Sequence, residues 1–379
     1  MTSKIYHLRD FCRRERDWLI DTTEALVRLE SPTVDKAAVD RCGAELSSRL
    51  TAAGGRVTRL PRADRGDHLL VEFGCGSSQL LLLGHFDTVW PVGQLERMPL
   101  KSEGGRLCGP GIFDMKAGIA IGMLAARALL ETEVGAPRRV VMLWSSDEEL
   151  GSGTSRQTIE DEARRSEAVL VLEPSLPGGA VKTTRKGCGQ YEITARGIAA
   201  HAGVDPEKGA SAIHELAHQI EQLSALSRLG PGLTVNVGVI SGGSRPNVIA
   251  EEAHATIDVR AATRSEMQLI DDRIRGQAAR DRRVRLEISG GFERPPLERT
   301  AEVARLYDQA RAVAGELGFD LREGGTGGGS DGNFTAALGI PTLDGLGAVG
   351  DGAHALHEHV EVESLPLRAA LVAGLLASL

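Results

Sequence analysis

The sequence predicts an α/β protein: a mixed, largely parallel sheet with helices on both faces, interrupted by a smaller α+β unit. Three observations predict it. Apolar runs of strand length recur at 68–73, 79–83, 139–144 and 168–172. Helical stretches separate several of them, notably 116–130 and 153–165. Such alternation favours a parallel sheet flanked by helices. From about residue 187 the texture changes, with Tyr191, Ile193 and Ala195 alternating with polar residues. That is the pattern of a strand buried on one face.

Taken in order, the first 53 residues read as helix in two pieces. Trp18, Leu19, Thr22, Leu26 and Leu29 keep near-helical spacing, and the turn at 31–33 ends the first piece. The strand and helix runs named above follow. Beyond residue 187, a helix is expected at about 208–228 and strands at 233–240 and 253–260. A helix at 265–280 and a strand at 283–288 complete a β-α-β-β-α-β order, that of a ferredoxin-like unit. Arg294, Pro295 and Pro296 close it. A chain of 379 residues exceeds what one core usually holds. The expected division is residues 1–186 with 298–379 as the larger domain and 187–297 as an insertion.

Composition narrows the class. Apolar residues make up 41%, as in an ordinary globular protein, so disorder is not expected. A net charge of −8 argues against nucleic acid or an anionic membrane as main partner. The cysteines Cys12, Cys42, Cys75, Cys108 and Cys188 are scattered, with no C-x-x-C pair. Neither a disulfide framework nor a thiolate zinc site is expected. Arg13, Arg14, Glu15, Arg16 and Asp17 precede any long apolar run, unlike a secretory leader. No apolar stretch is long enough to span a membrane. The cytoplasm is the expected compartment.

Five fragments can carry chemistry. In the first, LLLGHFDTVW, a buried strand delivers His85 and Asp87 at its tip. Residues two apart on extended chain face the same side. A metal-bound imidazole is usually steadied by such a carboxylate; a helix-capping Asp beside a buried His is the plainer reading. In GPGIFDMKAG, Asp114 precedes a helix and could equally cap it. LWSSDEELGS places Asp147, Glu148 and Glu149 at a strand's carboxyl end, where sheets of this kind bind ligands; a solvated acidic loop is the alternative. VLVLEPS ends an apolar strand on Glu173, and GDGAHALHEHVEV offers His354, His357 and His359. Two histidines and three carboxylates from separate strand ends suit a pair of divalent metals. Mixed nitrogen and oxygen ligation points to zinc, with cobalt or manganese as alternatives. Neighbours on extended chain diverge, so one of Glu148 and Glu149 can ligate while the other acts as base.

The motifs GHFDT, GPGIFDMKAG, SSDEELGS, LEPS, AAHAG and GAHALHEHVEV occur in this order along nearly the whole chain. Together they resemble those of the M20 dinuclear zinc amidohydrolases and peptidases, most of all the glutamate carboxypeptidases of the carboxypeptidase G2 kind. The resemblance implies a zinc-peptidase-like catalytic domain with an inserted dimerisation or lid domain. It implies two zinc ions per subunit, with Asp114 bridging, His85 and Glu173 on one ion, and Glu149 and His354 on the other. His354 is preferred to His357 and His359 because family members carry an acidic residue four positions on, here Glu358. Glu148 would be the general base and Asp87 the partner of His85. His201 would reach the scissile carbonyl, in this family usually from the partner subunit of a homodimer. Arg260 would bind the substrate's α-carboxylate, with Asn247 a further polar contact. The run Gly327 to Asp331 resembles the family's GGG[ST]D loop, so Gly328, Gly329 and Ser330 join the expected substrate contacts.

The implied activity is hydrolysis of an amide next to a free α-carboxylate, in an N-acyl amino acid or small peptide, releasing Glu or a similar residue. Alternatives are a deacylase of the acetylornithine, succinyl-diaminopimelate or aminoacylase type, or a metal-stabilised binding module without turnover. The chain lacks G-x-x-x-x-G-K-[ST], which disfavours a nucleotide-binding role. His214, Glu215 and His218 form a literal H-E-x-x-H. No second-helix Glu follows it at a suitable distance. Ile213, Leu216 and Ile220 read as that helix's core face, which leaves both histidines on a wet flank.

Overall fold

The computed structural model describes residues 2–132 and 134–379. The chain divides into two compact units. Unit 1 comprises Met1–Thr183, Arg299–Gly325 and Ser330–Leu379, and unit 2 comprises Thr184–Glu298 with Thr326–Gly329. The glycine run therefore crosses into unit 2, although the sequence assigns it to the larger domain. Two sets of bonds hold it there: Arg185 Nη1 donates to the carbonyls of Gly328 and Gly329, and Lys186 N–H donates to Thr326.

Unit 1 is built on a six-stranded sheet. Its order is Arg56–Leu60, His68–Phe73, Arg139–Ser145, Gln79–His85, Ser166–Val171, Thr342–Leu343. The first two pairings are antiparallel and the other three parallel. The central strands read as unbroken apolar runs because both faces are covered. Leu80, Leu82, Met142 and Trp144 face the helices Ala117–Glu131 and Leu365–Ser378. Leu81, Leu83, Val141 and Val169 pack with Ile159 and Phe334 of the helices Arg156–Arg164 and Gly332–Ala337.

The N-terminal region contains three helices where the sequence suggests two pieces: Thr2–Arg14, Arg16–Arg28 and Lys36–Ala52. Glu15, with φ −88° and ψ 16°, breaks the first piece without any glycine or proline to signal it. Asp35 caps the third helix by accepting the Ala38 N–H. A second sheet of unit 1, also not evident from the sequence, is antiparallel: Gly350–Asp351, His359–Glu361, Arg106–Cys108, Lys101–Glu103. Its strands are too short to show periodicity.

Unit 2 has a four-stranded antiparallel sheet in the order Thr234–Gly242, Glu252–Ala261, Gly187–Arg196, Arg285–Arg294. In chain order that is 2-3-1-4, with helices Ala212–Ala225 and Arg264–Arg275 as the crossovers. Tyr191, Ile193, Ile257 and Val259 alternate with polar neighbours and share one core with Leu216 and Ile270 of the helices. The strand Thr234–Gly242 is an edge, with Val239 and Ile240 exposed. No helix among the described residues is long and apolar enough to cross a membrane.

Candidate metal centre

Parallel strands of unit 1 end on one side of the sheet and supply most of the centre. Gln79–His85 ends on His85; Glu148 and Glu149 lie in the turn after Arg139–Ser145; Glu173 follows Ser166–Val171. Asp114 comes from the irregular turn Ile112–Lys116, ahead of the helix Ala117–Glu131. His354 lies between the strands Gly350–Asp351 and His359–Glu361, in a left-handed conformation with φ 60°. Non-glycine residues hold that conformation at a cost, and such residues cluster at functional sites.

Asp114 stands between the two histidines. One oxygen is 3.2 Å from His85 Nε2, and the other is 3.4 Å from His354 Nε2. Glu173 lies 3.5 Å from the same nitrogen of His85, and Glu149 lies 3.2 Å from His354 Nε2. Charge-assisted hydrogen bonds are shorter, about 2.7–2.9 Å. Donors on a tetrahedral ion with bonds of about 2.0–2.2 Å stand roughly 3.4 Å apart. Donor atoms of His85, Glu148 and Glu173 lie within 4.8 Å of one another, as do those of His85, Asp114 and Glu149.

The electrostatics ask for positive charge. Burial opposes a charge on His85, yet Asp114, Asp87 and Glu173 outweigh it and hold its pKa well above the ordinary value. Hydrogen bonds to Asp114 and Glu149 push His354 up to about 10. Burial would raise Asp114, but His354 and His85 hold it below the usual carboxylate range. Burial pushes Glu149 up. Even with both imidazoles protonated, the carboxylates outnumber the cations. The donor set fits two divalent metal ions, which would displace those protons and nearly balance the charge.

Asp87 lies beside His85, the position expected of its partner. His85 Nδ1 lies 3.0 Å from the main-chain carbonyl of Asp87 and 3.4 Å from its carboxylate. A carbonyl only accepts, so in the neutral ring Nδ1 carries the proton and Nε2 presents its lone pair. The buried Asp87 carboxylate also accepts the N–H groups of Glu148 and Glu149, at 3.3 and 3.2 Å, and the Thr33 hydroxyl at 2.8 Å. Asp147 turns away from the centre, accepting the Thr154 N–H and hydroxyl. Ser330 is wholly buried, and its hydroxyl donates to Asp344 at 2.6 Å and accepts from Gly332 N–H. The hydroxyl expected to meet substrate is therefore already engaged, chiefly by Asp344 beyond the strand Thr342–Leu343.

The remaining expected site residues belong to unit 2. His201 is exposed, and its Nδ1 accepts the Gly203 N–H at 3.1 Å, so the neutral ring offers Nε2–H. The Asn247 carbonyl accepts the Ala202 N–H. Arg260 already carries a carboxylate partner: Nε and Nη2 donate to the two oxygens of Asp258 at 2.9 and 2.7 Å, and Nη1 lies 2.6 Å from Cys188 Sγ. The H-E-x-x-H helix is structural. Glu215 is buried and accepts the N–H groups of Arg280 and Asp281 and the amide of Gln219. Ile213, expected in the core, is exposed, and Glu215 takes the inward position beside Leu216. His218 bonds to Gln222, and neither histidine belongs to a metal-suited group among the described residues.

The pattern that defines peptidase family M20/M25/M40 matches residues 81–378. The chain belongs to this family. Carboxypeptidase G2 of a Pseudomonas species is 31% identical over 375 residues, covering 96% of this chain and 90% of that protein. Succinyl-diaminopimelate desuccinylase of Thioalkalivibrio sulfidiphilus is 27% identical, covering 95% of this chain and 98% of that protein. Aminopeptidase PepT of Bacillus cereus superposes with a TM-score of 0.81 over 96% of this chain and 98% of its own, at 23% identity. That last likeness speaks for the fold. As an M20 family member the chain is a hydrolase, and its mixed sheet flanked by helices is the expected fold class.

In this M20 hydrolase, sequence reasoning gave Glu358 no role beyond its spacing from His354. Glu358 is 1% exposed. One oxygen accepts the N–H groups of Phe113 and Asp114, at 2.9 and 3.1 Å. The other accepts Gly111 N–H at 2.9 Å and the Trp90 indole at 2.8 Å. Burial pushes its pKa up to about 7, against the opposing pull of those donors. Glu358 thus pins the turn that presents Asp114. The available signal was an acidic residue inside a histidine-rich turn.

Proposed function

We propose that the chain is a dinuclear metal hydrolase that cleaves an amide next to a free α-carboxylate. Its substrate would be an N-acyl amino acid or small peptide, with Glu or a similar residue released. The observation that carries this reading is Asp114, with one oxygen toward each histidine. Asp114 would bridge two ions, with His85 and Glu173 holding one and Glu149 and His354 the other. Zinc suits these donors, and cobalt or manganese are the alternatives. Bound there, two divalent cations polarise a carbonyl and acidify water.

The chain's own residues divide the remaining work. Glu148, held by its backbone to Asp87, takes the proton of the attacking water and returns it to the departing nitrogen. The Nε2–H of His201 donates to the carbonyl oxygen as charge develops there. Arg260 receives the α-carboxylate, its guanidinium held in place by Asp258. Asn247 and the backbone of Gly328 and Gly329 add polar contacts, and Ser330 shapes that loop through Asp344. A homodimer through unit 2 is part of the proposal, supported by the exposed edge strand with Val239 and Ile240. A cytoplasmic location is supported by five unpaired cysteines.

A deacylase of the desuccinylase type is the second reading. The likeness to succinyl-diaminopimelate desuccinylase favours it. The test is amine release by metal-reconstituted protein from a panel of N-acyl amino acids and dipeptides. Preference for C-terminal Glu supports the first reading, and preference for N-succinyl diamino acids supports the second. Stoichiometric metal with no hydrolysis of any member would leave a metal-stabilised binding module.

A further inference from the structure

Beside the small antiparallel sheet of unit 1 lies a cavity of about 410 Å³. Ligand pockets typically measure about 300–1,000 Å³. Arg97, Lys101 and Arg106 line it, together with His357 and His359. In a chain of net charge −8, this gathering of cations runs against the composition. Arg97 and Arg106 have no hydrogen-bonded or ion-paired side-chain partner among the described residues. Lys101 pairs only with the exposed Glu103 on its own strand. The one carboxylate in the wall, Glu358, is fully engaged by Gly111, Phe113, Asp114 and Trp90. It forms no ion pair with either guanidinium group. His359 is mostly buried and bonds through Nδ1 to the His357 carbonyl, which leaves Nε2 open. Met98, Pro99 and Leu356 add an apolar wall.

We propose that this cavity binds a small organic phosphate monoester. Two unpaired guanidinium groups lining one cavity match a phosphate dianion in charge, and each can offer it paired N–H donors; the apolar wall suits an organic body. The inference does not depend on which amide the enzyme cleaves.

The test is calorimetric titration of the metal-loaded full chain with phenyl phosphate, glucose 6-phosphate, adenosine monophosphate and inorganic phosphate. At least one monoester should bind with a Kd below about 1 mM and tighter than inorganic phosphate, weakening as salt rises. The Arg97→Ala/Arg106→Ala variant should bind it at least tenfold more weakly while hydrolysis stays within twofold of the parent. Arg106→Gln, which preserves size, should show a smaller loss and guards against misfolding of the double variant. Binding unchanged in both variants would place the anion at the metal centre and overturn the proposal. So would failure of all three monoesters to bind below about 1 mM.

Discussion

The centre of unit 1 and the H-E-x-x-H helix of unit 2 use the same side-chain types to opposite ends. In unit 1, fragments between residues 85 and 354 converge so that Asp114 touches two histidines. In unit 2, consecutive residues place His214 and His218 on one helix, but their glutamate points inward and ties down the Arg280–Asp281 backbone. A contiguous motif fixes spacing along a helix and says nothing about which face is buried. A dispersed donor set forms only where strands end together, and burying its carboxylates is tolerable only with compensating charge. Each cluster also has a buried glutamate bracing backbone N–H groups, Glu358 in one and Glu215 in the other. The braces are alike, but only one supports a residue that faces the histidines.

The contrast can be broken most sharply at the base. Glu148→Ala should retain both metals and lose about 10²–10⁴ in kcat, whereas His214→Ala/His218→Ala should leave kcat unchanged. A fully active Glu148→Ala would reassign the base. Asp114→Ala should next reduce the metal content found by elemental analysis, while the double histidine variant keeps it; metal loss in the latter would revive the helix as a site. The two braces come third. Glu215→Ala leaves part-buried N–H groups without their acceptor and should cost about 1–3 kcal/mol in denaturant unfolding, with metal affinity intact. Glu358→Ala should cost stability and also weaken metal binding in a chelator competition, because the Asp114 turn loses its anchor.

The smallest effect is in pH. In metal-free protein, His85 and His354 hold protons more tightly than in the unfolded chain, where an imidazole titrates near about 6.5. Their contribution to stability is complete below that pH and is lost as pH rises through the folded values, about 10 for His354. The Tm of metal-free protein should therefore fall between pH 6.5 and 10. Metal-loaded protein, whose imidazoles are already neutral, should lack this slope. Solvent screens half-exposed His354, which keeps the effect modest.

Much of the architecture was legible. The apolar runs at 79–83 and 139–144 became strands because burial on both faces leaves no room for polar residues, and Tyr191 and Ile193 alternated because their strand has one core face. The break at Glu15 was hidden because polar residues on either side suit a helix as well as a turn. His85, Asp114 and Glu149, which the fold brings together, could be singled out as candidate donors by type and position. The bracing by Asp87 and Glu358 could not, since a carboxylate that accepts backbone N–H groups leaves no periodic trace. The engaged states of Arg260 and Ser330 were hidden for the same reason: a residue type shows what it can bond, not which neighbour reaches it first.

The histidines on either side of Asp114 are unequally enclosed, with side chains 1% and 51% exposed. With cations in place as proposed, the ion on the His354 side would trade with bulk solution far faster than its sealed neighbour. Dialysis against a chelator should then run in two kinetic phases. Cells whose metal supply fluctuates would carry a mixed-metal population, one position recording the metal present at folding and the other the metal present now.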